Sequence, residues 1–396
     1  MKDLVNHNYH LFIYAVLFLG SLAFSFLINS LFLRFFFTLG MRNNNDGTVI
    51  RWGTLSKPAV GGLSFYIVFL LSLATYSVFF NNNDALYNSQ FMGFIMAMAI
   101  GFLIGLADDA YNTKPVLKFL AQVSCAFSFI FTGTYINVFD SMMLNYLLTI
   151  FWVVGIMNSI KLLDSMDGIT ATVSLGIIIS AVVIIMLSND INNLYLASII
   201  GLSAALLGFL YFNWHPSKMY MGDTGSQFLG VFLAGIGIMF FWNNPYHVTE
   251  SLLMKKLITV ALAFILPIVD TTIVVINRIS KGKSPFVGGK DHTTHSLAYL
   301  GLKDNQVTTA FALLSVVSVV LVFTVNFLIT TWNLLYTLIF GGYFIIILTG
   351  FFYTTSRVRE PEKQPCWCFS VSVLMSNSIL YYFLAKAVHG FSLFII

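Results

Sequence analysis

The chain has 396 residues, of which 58% are hydrophobic, 16% aromatic and only 9% charged, with a net charge of +4. A soluble domain carries about 25% charged residues, so a water-covered globule is excluded, and so is disorder, which needs low hydrophobicity. Three cysteines are too few for a disulfide scaffold, which leaves an all-α polytopic membrane protein.

A membrane span needs about 20 mostly apolar residues. In chain order the qualifying runs are 10–33, 60–80, 92–107, 117–136, 143–162, 168–187, 193–212, 225–242, 254–277, 307–329 and 332–353. They predict eleven transmembrane helices, within a range of ten to twelve. A twelfth candidate, 369–395, is interrupted by Lys386, His389 and Gly390. The first run is too long for a cleaved signal peptide and lacks its basic flank and cleavage site. No soluble domain, linker or internal repeat breaks the series. Residues 1–396 therefore read as one membrane domain, with a tail over 354–396 that has no assigned role. Cys125 lies in an apolar run, while Cys366 and Cys368 form a C-x-C pair without the ligand cluster a metal site needs.

The connections between runs differ in charge. The odd ones, 34–59, 108–116, 163–167, 213–224 and 278–306, together with 354–368 and the adjoining Lys118 and Lys161, hold sixteen of the twenty Lys and Arg. The even connections hold none, Lys255 and Lys256 being the nearest. Positive residues face the cytoplasm, so the odd connections are predicted to be cytoplasmic and the N-terminus outside. The acidic clusters, Gly-rich turns and a His pair also fall on the odd connections. A transporter places its polar site near the bilayer midplane on broken helices. A site collected on one face instead suits an enzyme that joins a water-soluble donor to a lipid acceptor.

Five constellations carry that site. Asp108 and Asp109 end an apolar run and are followed by Lys114, Pro115, Lys118 and Gln122. Adjacent carboxylates repel unless a cation sits between them or one is protonated, which points to a divalent metal or to a base beside one. Asp164 and Asp167 share a helical face or flank a tight turn closed by Gly168; an N-cap explains one of them, not the pair. Asn213, His215 and Pro216 lead into Met221-Gly222-Asp223-Thr224-Gly225-Ser226. A Gly-flanked Asp before a helix suits Mg²⁺ or an N-cap, and the helix N-terminus suits an anion. The segment from Arg278 to Leu302 is basic and Gly-rich, with Asp291, His292 and His295. It suits phosphate and has too few ligands for zinc. Lys57, Pro58, Gly61 and Gly62 open the second run, a weak signal alone. Metal-binding carboxylates, phosphate-binding cations and Gly turns on one face are the parts of phosphoryl transfer.

In these motifs the sequence resembles the polyprenyl-phosphate N-acetylhexosamine-1-phosphate transferase family, and more distantly the phospho-MurNAc-pentapeptide translocase. The resemblance covers about residues 50–300. The family's Asp-Asp, Pro, Lys and Gln pattern falls on Asp108, Asp109, Pro115, Lys118 and Gln122. Its paired Asp falls on Asp164 and Asp167, its Met-Gly-Asp-x-Gly-Ser on Met221 to Ser226, its His motif on His292 and His295, and its Pro-x-x-Gly-Gly on Pro58, Gly61 and Gly62. Thr294, Ser296, Lys161 and Ser165 stand where the pattern has His, Arg, Asn and Gly.

The resemblance implies a multi-pass enzyme of the bacterial inner membrane that uses Mg²⁺, with Mn²⁺ as the alternative. It would convert a UDP-N-acetylhexosamine and undecaprenyl phosphate into undecaprenyl-diphospho-sugar and UMP, starting a cell-surface polysaccharide. The implied partners are those two substrates and the bilayer, with a homodimer as the assembly and no nucleic acid. Asp223 would take the metal, Asp109 would support it, and Asp108 would deprotonate or orient the lipid phosphate. Asn213, Asp164, Asp167 and Lys161 would line the nucleotide pocket. Lys118 and Lys57 would meet phosphate, and His292 and His295 the diphosphate or the sugar. The alternative is an ion-coupled transporter built on Asp270. A prenyltransferase is disfavoured because Thr113 breaks its D-x-x-x-D pattern.

Overall fold

Inside a bilayer the backbone has no water to bond, so a spanning chain closes its hydrogen bonds within helices. The computed structural model has that form and describes residues 2–35, 57–80, 88–187, 194–244, 252–282, 289 and 291–357. The first seven helices are α1 (Lys2–Phe35), α2 (Gly61–Phe80), α3 (Ser89–Tyr111), α4 (Pro115–Phe131), α5 (Met142–Leu163), α6 (Ile169–Leu187) and α7 (Leu194–Asn213). Then come α8 (Gly222–Ile236), which runs on as a π-helical segment to Trp242, α9 (Leu252–Ala263), α10 (Ile265–Ser280) and the short α11 (Thr293–Tyr299). The last two are α12 (Asp304–Phe323), extended to Leu328 by a second π segment, and α13 (Leu334–Arg357).

Every one of the eleven apolar runs is helical, but the count of spans differs from eleven. Among the described residues nine helices are long and apolar enough to cross a membrane, or ten if a bent pair counts as one. The run 254–277 is that pair: α9 and α10 meet at Phe264 and bend by 78°. Pro267 accounts for the break, because it has no N–H to give the carbonyl four residues back and its ring collides there. The run 117–136 stops at Phe131, where Gly133 turns the chain with φ of 85°; the resulting α4 has 17 residues. The loop expected over 278–306 contains a helix, α11. The twelfth candidate, Cys366, Cys368, Arg42, Arg51, Lys283 and Lys290 lie outside the described residues.

At the centre stands α8, whose residues from Thr224 to Ile236 are all buried. It packs on α3, α5 and α2, while α1 and α13 lie on the periphery with most of their surface uncovered. Small residues permit the close approach, as is usual where helices pack without water. A Cβ on Gly105 of α3 would lie 2.4 Å from the Asp223 carbonyl oxygen, and one on Gly62 of α2 would lie 2.1 Å from the Gly225 nitrogen. Below these contacts Tyr66, Phe69, Phe94, Phe228 and Phe232 form an edge-to-face aromatic core.

Candidate active site

Successive spans alternate in direction, so the C-terminal ends of α3, α5 and α7 meet the N-terminal ends of α4, α6 and α8 at one end of the bundle. Four charged side chains converge there. Lys118, in the first turn of α4, puts Nζ 2.7 Å from Asp108 Oδ1. Lys161, in the last turn of α5, puts Nζ 3.0 Å from Asp108 Oδ2 and 2.9 Å from Asp223 Oδ1. One lysine thus bridges carboxylates from α3 and α8. The two aspartates differ in access. Asp108 is 2% exposed, and its Oδ1 also accepts from the Thr113 N–H and hydroxyl. Asp223 is 32% exposed, beside a Lys161 that is 30% exposed. Asp108 therefore orients two lysines from the buried side, while Asp223 and both lysines stay partly exposed.

Asp109, one residue on, has another job. Its Oδ1 accepts the Asp223 N–H at 2.9 Å, and its Oδ2 accepts the Thr224 N–H at 2.8 Å and the Thr224 hydroxyl at 2.6 Å. These N–H groups open α8 and have no partner within the helix, so α3 caps α8 through Asp109. Gly222 makes the approach feasible: it has φ of 74°, and a Cβ there would stand 2.8 Å from Asp109 Oδ2.

The other polar candidates join loops. Asn213 accepts the Gly168 N–H at 2.9 Å and donates to the Met219 carbonyl at 2.8 Å, tying the α5–α6 turn to the α7–α8 loop. Asp167 accepts from the Ser217 N–H and hydroxyl, at 3.0 and 2.7 Å, and lies 3.2 Å from His215 Nδ1. Lys57 donates to the Ser217 hydroxyl at 2.8 Å and lies 3.6 Å from Asp167. The segment before α2 gains a register from this corner: Gly61 and Gly62 donate to the carbonyls of Tyr220 and Met221, and the Tyr220 N–H returns to Pro58. The Pro-x-x-Gly-Gly segment, a weak signal in sequence, is the seat of the Met-Gly-Asp-x-Gly-Ser loop. Asp164 sits at the C-cap of α5. Burial, with the charges of Asp109 and Asp167 adding, pushes its carboxyl up to about 7.

The His segment reaches the same end through α11. Ser165, beside Asp164, shares a 2.8 Å hydrogen bond with Thr294. Two positions that depart from the motif pattern are thus each other's partners, which no inspection of either motif alone could find. Asp270, the residue a transporter reading rests on, accepts from Thr293 and faces His292. Arg278 pairs with Asp291 by two bonds, Nε to Oδ2 at 2.8 Å and Nη2 to Oδ1 at 2.7 Å. Burial pushes the Asp291 carboxyl up, but the Arg278 guanidinium outweighs it and holds the group below the usual carboxylate range. Sequence reasoning did not find the bonds that Thr113, Ser217 and Thr224 make or the close approach at Gly105, because each task is set by what packs on the residue.

The sequence model described as glycosyl transferase family 4 matches residues 91–241, the stretch that holds Asp108, Asp109, Lys161, Asp164, Asp167, Asn213 and Asp223. The chain is 29% identical over 254 residues to a probable undecaprenyl-phosphate N-acetylglucosaminyl 1-phosphate transferase of Bacillus subtilis (strain 168), covering 62% of this chain and 66% of that protein. It is 29% identical over 280 residues to decaprenyl-phosphate N-acetylglucosaminephosphotransferase of Mycobacterium tuberculosis (strain H37Rv), covering 63% and 67%. It is 31% identical over 225 residues to phospho-N-acetylmuramoyl-pentapeptide-transferase of Staphylococcus carnosus (strain TM300), covering 50% and 67%. The match thus spans about two thirds of the length of each relative. These matches fall on the stretch that carries the carboxylates and lysines gathered at one end of the bundle, and they place the chain by its sequence: it belongs to glycosyl transferase family 4.

Proposed function

We propose that the protein transfers an N-acetylhexosamine-1-phosphate from a UDP-sugar to undecaprenyl phosphate at the cytoplasmic face of the membrane, as the first step of a cell-surface polysaccharide. An oxygen of the lipid phosphate bonds to the sugar-linked phosphorus. The bond from that phosphorus to the bridging oxygen breaks, and UMP leaves with that oxygen. The observation that carries this reading is the Asp108–Lys118–Lys161–Asp223 cluster. Such a transfer brings phosphates together, and its catalysis is positioning plus charge neutralisation. Lys118 and Lys161 supply two ammonium groups for that purpose. Asp108 keeps both aimed in the absence of substrate.

The donor set also fits Mg²⁺. Asp223 offers a partly open carboxylate, and Lys161 marks a cation seat between Asp223 and Asp108. Among the described residues no three His, Cys, Asp or Glu side chains converge into a preformed cage. Mg²⁺ commonly takes one or two carboxylates and completes its shell with water and substrate phosphates. Bound there, it would neutralise charge developing on the diphosphate. Asp109 is committed to the α8 cap and would support that site through the backbone.

The test is UMP release by the purified protein in detergent, with undecaprenyl phosphate, Mg²⁺ and a panel of UDP-N-acetylhexosamines. We expect release that requires both lipid and metal and is lost in Asp223→Asn. Folded protein that releases no UMP with any donor would overturn the reading and reopen the ion-coupled transporter.

A further inference from the structure

Asp270 is a charged side chain with 1% exposure on α10, the second half of the bent helix pair. A charge so placed must be fully partnered. Oδ1 accepts the Thr293 N–H at 2.9 Å and the Thr293 hydroxyl at 2.6 Å. Oδ2 faces His292 Nδ1 at 3.2 Å. A carboxylate only accepts, so this contact assigns a proton to Nδ1, and in the neutral ring Nε2 is then the acceptor left for a ligand. The backbone caps α11 at the same point. A seven-residue helix has little stability alone, so its place depends on anchors. Asp270 holds its first turn, Ser165 holds Thr294, and Arg278 holds Asp291 just before it. The charged and titratable groups around the pair are Asp291, Arg278 and His295, whose ring centroid is 5.4 Å from that of His292.

We propose that Asp270 is a positioning residue for the transfer: it locks the His292 ring so that Nε2 accepts a hydrogen bond from a hydroxyl or the acetamido N–H of the donor sugar. The proposal rests on the transferase reading and adds to it the part of the donor that the His segment reads. The Ser165–Thr294 bond carries α11 to the Asp164 turn, and hence to the donor's side of the site. The arrangement has a specific weakness. In Asp270→Asn the amide oxygen keeps the Thr293 N–H, while the amide NH₂ faces Nδ1. The ring proton is then driven to Nε2, which can no longer accept.

The experiment is steady-state kinetics of the full chain in detergent with Asp270→Asn. The expected result is a donor KM raised roughly ten-fold, the scale of one lost hydrogen bond that leaves a polar group unpaired. The KM for undecaprenyl phosphate and the inhibition constant of UMP, which lacks the hexosamine, should stay within about two-fold of wild type. Thr293→Ala removes a neighbouring contact to the same carboxylate and should lower the melting temperature without moving the donor KM. An unchanged donor KM in Asp270→Asn, or a parallel rise in all three constants, overturns the proposal. If Asp270→Asn does not fold, His292→Ala decides: its donor KM must rise while its UMP constant does not, and an unchanged donor KM overturns the proposal. The two readings fail differently. Wild-type protein that releases no UMP defeats the transferase reading and this inference with it, whereas active wild type with a silent Asp270→Asn defeats this inference alone.

Discussion

Replacing Asp109 with Ala separates the two neighbouring carboxylates at the end of α3 by what each one holds. Asp109 takes three donors: the N–H groups of Asp223 and Thr224 and the Thr224 hydroxyl. Thr224 is 2% exposed, so water cannot replace its two bonds. A buried donor left unmet costs about 1–3 kcal/mol. Two such donors, with a smaller loss at the more open Asp223 N–H, total about 3–5 kcal/mol, above the usual cost of a lost cap at about 1 kcal/mol. In a chain of this size that lowers the melting temperature on the order of 5 °C. Asp223→Asn should differ, since its partly exposed side chain bonds a partly exposed Lys161. That variant should melt within about 1 kcal/mol of wild type, as substitutions away from buried contacts do, yet release no UMP. The assay pairs thermal melting of detergent-purified protein with UMP release for both variants. If Asp109→Ala melts with wild type and still loses all activity, Asp109 acts on substrate or metal, and the capping argument is wrong.

Three further outcomes are expected. Gly62→Val drives its side chain onto the Gly225 backbone, where a Cβ already stands 2.1 Å from nitrogen; purified protein should lose monodispersity on size exclusion together with UMP release, and a well-folded active variant would refute the close packing of α2 on α8. Asp291→Asn removes the two-bond carboxylate partner of the buried Arg278, a loss of about 1.5–3 kcal/mol for hydrogen bonds to a charged group. The Asp291 carboxyl is held low in the fold, so its contribution is present above the ordinary Asp range and lost as pH falls through the folded value; the gap in melting temperature between wild type and Asp291→Asn should narrow in acid. Asp164 has the opposite sign. Its carboxyl rises from 3.8 to about 7 in the fold, so its contribution is complete below 3.8 and lost as pH rises through 7. Asp164→Asn should therefore flatten the fall in melting temperature between about pH 4 and 7; equal slopes for the two proteins would count against the shift.

Much of this protein follows from sequence alone because one solvent dominates it. Within a bilayer, composition and run length decide that the chain is helical and where each helix lies, so all eleven apolar runs are helical. The side of the site was legible too: polar groups are costly in hydrocarbon, and those on the odd connections come together at one end of the bundle. Only the tertiary structure decided how the candidates divide their work. The sequence presents Asp108 and Asp109 as equals, yet one anchors two lysines and the other caps a helix 113 residues away, starting at Gly222. Asn213, Asp167 and Lys57 stand in separate motifs in one dimension and join loops in three. Pro267 was visible, but its 78° consequence was not, because a run of apolar residues reads the same across a break. The Ser165–Thr294 bond and the Asp270–His292 contact join residues 129 and 22 positions apart. Hydropathy reports each residue's exchange with its solvent, position by position; a hydrogen bond between distant residues is a property of the pair and exists only once the helices have packed.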